Sequence, residues 1–155
     1  MTRRATAVTV AALVLATSGA GAALAATGVY SGGSRKATRY MDITIQVLSG
    51  GRSANWRVDV YGPCTENEQL GRTVGTDAGN TPPDRRLRIR GGRFTLTQHA
   101  TSPFSGLTYS YRLTGHAVNS GFVGTFHYQE TDHHGYSCDV PLLHWSARHT
   151  ASTFP

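Results

Sequence analysis

Apolar residues along most of this chain recur at every second position, in runs parted by glycine-rich turns, and that pattern decides the fold class. Met41 to Leu48 alternates Ile43, Ile45 and Val47 with Asp42, Thr44 and Gln46, and Ala54 to Tyr61 alternates Trp56, Val58 and Val60 with Arg57, Asp59 and Tyr61. Alternation of this kind sends one set of side chains to each face of a pleated strand. Gly50 and Gly51, between the two runs, supply the positive backbone angles that a tight hairpin needs. The same reasoning predicts a hairpin from Leu87–Arg90 and Phe94–Gln98 about Gly91 and Gly92, and another from Leu107–Gly115 and Phe122–Gln129. A short strand at Val29–Ser31 and a last one at Tyr136–Ala147 bring the total to about eight. Pro141 cannot donate to a ladder and marks a bulge or an edge position in that last strand. Beyond Ala26 no segment carries apolar residues at three-and-four spacing for long enough to make a helix. The chain is therefore all-β, an antiparallel barrel of about eight strands, with a two-sheet sandwich as the alternative.

The first 25 residues read as an export signal. Arg3 and Arg4 give a positive start, Ala5–Leu15 is an apolar stretch, and Ala23-Leu24-Ala25 is a small-x-small cleavage site. Thr17, Ser18, Gly19 and Gly21 interrupt the apolar stretch well short of the roughly 20 residues that a membrane helix needs. A twin-arginine route would call for bulky apolar residues where Thr6 and Ala7 stand, so the general secretory route fits better. The expected product is secreted and not an integral membrane protein, with one β-domain over residues 26–148 and a flexible tail over 149–155. With Arg3 and Arg4 removed it holds 13 basic against 9 acidic residues, a mildly basic surface.

In an exported chain the isolated pair Cys64 and Cys138 is most simply one disulfide. It would close a loop of about 75 residues and constrain the unfolded chain by roughly 4 kcal/mol. Cys64 opens a glycine- and proline-rich stretch, Gly62–Asp84, that reads as a long surface excursion.

Two polar constellations stand out. Arg86, Arg88 and Arg90 alternate with Leu87 and Ile89, which on a strand sets three guanidiniums on one face about 7 Å apart. Such a row suits an anionic envelope polymer, or it guards an edge strand against aggregation. Glu130, Asp132, His133 and His134, with His127 and His144 nearby, offer metal-ligating side chains. The adjacent pair His133 and His134 in a turn seldom points at one ion, so the cluster reads as a solvated hairpin tip, with Asp132, His133 and His134 as weak metal candidates. The aromatics Tyr109, Tyr111, Phe122, Phe126, Tyr128 and Trp145 fall at strand spacing and belong to a core, or to the wall of a ligand cavity if the barrel is wide enough.

No Gly-x-Ser-x-Gly elbow exists, and Glu66 and Glu68 lie in the excursion without an apolar pocket, so nucleophilic and glycosidase chemistry lack support. The expectation is a non-enzyme without cofactor, and basic-aromatic alternation of the kind that binds nucleic acid is missing.

The segments Gly28-Val29-Tyr30-Ser31-Gly32, Ile89–Phe94, Tyr111–Gly115, Gly121–Thr125, and Cys138 followed by Trp145-Ser146-Ala147 resemble small exported single-disulfide β-domains of high-GC Gram-positive bacteria, a group of uncharacterised function. Val140-Pro141 departs from the small hydroxylic residue and glycine usual there. The resemblance implies secretion, one β-domain and one disulfide, and carries over no catalytic residue. The function expected is binding: of an anionic envelope polymer or a secreted or surface protein, or, as the alternative, of a small apolar ligand inside the barrel.

Overall fold

A computed structural model describes residues 26–36, 39–65, 69–75, 85–103 and 105–151. The expected export signal lies outside the described residues, as do Glu66, Glu68 and residues 152–155. Nine strands are described: β1 (Gly28–Lys36), β2 (Arg39–Val47), β3 (Ser53–Pro63), β4 (Gln69–Gly75), β5 (Leu87–Arg88), β6 (Arg93–Thr101), β7 (Thr108–Val118), β8 (Gly121–Thr131) and β9 (Ser137–Ala151). Eight follow one path, β4-β3-β2-β1-β9-β8-β7-β6, with every neighbouring pair antiparallel. The sheet curls on itself as an incompletely closed barrel, and the short β5 pairs with the start of β3.

The alternation works as the sequence predicts. Ile43, Ile45, Val47, Trp56, Val58 and Val60 all turn inward and are buried, while Thr44, Arg57 and Asp59 turn out. They meet Leu113, Phe122, Phe126, Leu143 and Trp145 from the opposite wall. Aromatic pairs knit this core: Tyr30 meets Phe122 edge-on at 4.9 Å between ring centres, and Trp56 meets Tyr111 at 5.6 Å. At Gly91–Gly92 both residues have positive φ, 55° and 70°, and Arg90 and Arg93 exchange backbone hydrogen bonds, as a two-residue hairpin of this type requires. Pro141 sits in a bulge: Phe126 pairs with Leu143 and Tyr128 with Val140, so three steps along β9 match two along β8.

Three expectations change. The excursion Gly62–Asp84 contains a strand, β4, laddered to Arg57–Pro63. Its pattern is hidden because the inward position between Leu70 and Val74 is held by a charged residue, Arg72. The tail expected from residue 149 is strand as far as Ala151, with His149 and Ala151 paired to Tyr30 and Val29. And the arginine row is exposed only in part: Leu87 and Ile89 are buried and Arg88 and Arg90 exposed, as the alternation predicts, but Arg86 is half-buried with its Nε enclosed, and β5 spans two residues.

Cys64 and Cys138 form a disulfide with their Cα atoms 4.1 Å apart, tying the end of β3 to the start of β9. At the same end, the position where a side chain on Gly62 would stand is filled by Val140, so β3 and β9 press together across the barrel interior.

Candidate functional site

Because β4 and β6 end the strand path and share no ladder, the barrel wall has a gap, and β5 fills only half of it. At the Ser53 end, Ala54 and Ser53 pair with Leu87 and Arg88, and Arg90 pairs with Arg93, so β5 spans from β3 to β6. At the Cys64 end no strand among the described residues bridges the gap, which leaves a side window there. Behind it lies a cleft of about 660 Å3, within the roughly 300–1,000 Å3 usual for small-molecule sites.

Three strands supply its walls. Trp56 comes from β3, Leu96 and Gln98 from β6, Tyr109 and Tyr111 from β7. Tyr111 donates a hydrogen bond to Gln98 Oε1 at 2.5 Å, which orients both groups at the wall. Burial, with the neighbouring Tyr109 adding to it, pushes the Tyr111 hydroxyl up to about 12, with the Arg85 guanidinium pulling the other way. Arg85 is exposed at the rim, its backbone carbonyl accepts a hydrogen bond from Trp56 Nε1 at 3.3 Å, and its guanidinium has no carboxylate partner among the described residues.

The floor is polar. Arg72, reaching in from β4, donates from Nε to Glu130 Oε2 at 2.8 Å and from Nη2 to Oε1 at 2.9 Å, a two-pronged pair. Tyr128 donates to the same Oε2 at 2.7 Å. Glu130 has no exposed side-chain surface, whereas Arg72 is 44% exposed. Desolvation, reinforced by the bond to Glu130, raises the Tyr128 hydroxyl well above the ordinary tyrosine range, and the bond to Glu130 likewise raises Arg72. Both Glu130 oxygens are thus engaged, and the cleft lining holds no histidine or thiol.

The other sequence candidates lie elsewhere. Asp132 accepts backbone hydrogen bonds from His134 and Tyr136 at 2.8 and 2.9 Å, so its carboxylate organises the β8–β9 turn. Desolvation nudges that carboxyl up, but the two backbone donors outweigh it and hold it below the ordinary aspartate range. The rings of His133 and His134 stand 5.8 Å apart, edge to face, and His133 packs over Gly106. No group of three metal-ligating side chains occurs among the described residues. His127 meets Asp139 at 3.2 Å on the outer face, away from this turn.

Glu130 is the residue that sequence reasoning misplaced: it belongs to the floor of the cleft, not to the hairpin tip. The signal was present, since Phe122, Phe126, Tyr128 and Glu130 occupy even positions of one inward-facing series. No protein family, curated protein or solved structure matches the chain.

Proposed function

We propose that this chain is an exported, non-enzymatic binding protein that holds one small amphipathic molecule in the window of its barrel. The carrying observation is the open cleft of about 660 Å3, in which an aromatic wall faces a few oriented polar groups. The apolar body of the ligand packs on Trp56, Tyr109 and Tyr111, and its polar end meets Gln98, Arg85 and the exposed side of Arg72. This reading revises the expectation of a purely apolar cargo, because a wholly apolar ligand would strip water from Gln98 and Arg72 without replacing it. Export rests on the N-terminal pattern, and the Cys64–Cys138 disulfide is compatible with an extracellular setting.

The test is to purify the secreted chain from its native host, extract it with organic solvent and identify bound molecules by mass spectrometry. A stoichiometric small molecule that also shifts tryptophan emission on re-addition is expected. Extracts no different from those of a Tyr111→Ala variant, together with unmoved emission, would overturn the reading. Sequencing the exported chain should find Ala26 first.

A further inference from the structure

On the β1–β3 side Arg35 pairs with Asp42 at 2.7 Å and Arg57 with Asp59 at 3.1 Å. On the β6–β9 side three arginines, Arg93, Arg112 and Arg148, and four histidines, His99, His116, His127 and His144, face outward. Against them stands one carboxylate, Asp139, already engaged by His127. The sequence gives no hint of this face, because its members come one or two at a time from four strands.

Register brings them together. Arg93 lies beside His116, Arg112 beside His127, and Thr95, Thr114, Thr125 and His144 form one cross-strand row. Thr114 and Thr125 hydroxyls are 2.7 Å apart. With strands about 4.8 Å apart and outward positions about 7 Å apart along each, donors repeat over the face in two directions. A groove of about 520 Å3 runs through the middle, lined by Thr114, Thr125 and Ser146 together with Val123 and Gly33 and bordered by His116 and His144. Its short side chains leave room for a chain of anionic groups to lie in.

We infer that this outer face is a docking surface for a linear phosphate-linked polymer. Phosphate fits the donor set, since its oxygens accept from guanidinium, imidazole N–H and hydroxyl together. The aromatic residues of β7, β8 and β9 point inward, which leaves no platform on which bases stack. The surface is separate from the cleft and does not depend on what fills it.

The experiment measures binding of the disulfide-intact mature chain to inorganic polyphosphate and to polyglutamate of matched length, in about 50 mM and about 500 mM salt. Polyphosphate should bind at the lower salt and lose most of its affinity at the higher. Arg112→Gln should weaken binding several-fold, and an unchanged melting temperature verifies that this exposed substitution leaves the fold intact. Absence of binding at low salt, equal affinity for polyglutamate, undiminished binding by the Arg112→Gln variant, or loss of binding on Arg88→Gln/Arg90→Gln with the face intact would each overturn the proposal.

Discussion

Arg72 and Glu130 join opposite walls of the barrel: the guanidinium of an edge strand closes on a fully buried carboxylate of β8 with two hydrogen bonds of 2.8 and 2.9 Å. Removing one partner of such a pair costs more than the pair itself contributes, because the survivor is left uncompensated. Arg72→Met strands Glu130 with only Tyr128 as donor and should destabilise by about 2 kcal/mol, below the figure for a fully enclosed pair because Arg72 is 44% exposed. Glu130→Gln should cost less, since the freed guanidinium can turn to water. The double variant Arg72→Met/Glu130→Leu should recover most of the loss. Urea denaturation of the three variants tests this order.

The disulfide joins residues 74 apart in sequence. Chain entropy assigns it about 4 kcal/mol of stabilisation, model-dependent and usually reduced in practice. Cys64→Ala/Cys138→Ala should lower the denaturation midpoint accordingly and free the β3 end from β9. Amide exchange should quicken first at Gly62, Pro63-flanking residues and Ser137, while Ile43 and Ile45 stay protected.

Tyrosine ionisation gives an alkaline signature. The Tyr111 hydroxyl is raised to about 12, so the folded state holds its proton where the unfolded chain, titrating near 10, releases it. Stability from this group is therefore complete below about pH 10 and is lost as pH climbs toward about 12. Tyr30 and Tyr128 are raised as well. Absorbance titration at the phenolate band should show part of the seven tyrosines ionising only together with unfolding. In Tyr111→Phe the early step should be unchanged and the late one smaller.

Gly124 faces inward on β8, where an added methyl group would fall on the backbone carbonyl of Thr114 and close to the Trp145 ring. Backbone cannot yield there without breaking the β7–β8 ladder. Gly124→Ala should destabilise by about 2–4 kcal/mol, whereas Gly135→Ala, with open space around it but φ of 93°, should cost only about 1 kcal/mol from backbone strain. Thermal melts of the two variants compare crowding with conformational strain.

Much of the architecture was legible because strand alternation, paired glycines and an isolated cysteine pair each act locally. Gly91 and Gly92 need nothing beyond their own backbone angles to set a hairpin, and Pro141 announces its bulge by lacking an N–H. What stayed hidden depends on partners distant in the chain. Arg72 looks like a solvent-facing residue until Glu130, 58 positions on, is seen to receive it, and without that pairing β4 reads as loop. Arg86 reads as exposed as Arg88 and Arg90, yet it is half-buried with its Nε enclosed, and the outward residues of β6, β7, β8 and β9 come together only through strand register. The window itself is a property of how far the sheet curls, which no stretch of sequence encodes alone.

The placement of the two cross-ties has a mechanical consequence. The disulfide and the Arg72–Glu130 pair both brace the half of the barrel where the wall is missing, while the other half is closed by backbone ladders through β5. The ion pair ties β4 to β8 and the disulfide ties β3 to β9, whereas β6 ends the strand path on its ladder to β7. The aperture is thus braced on its β4 edge, and its β6 edge is the one that yields first.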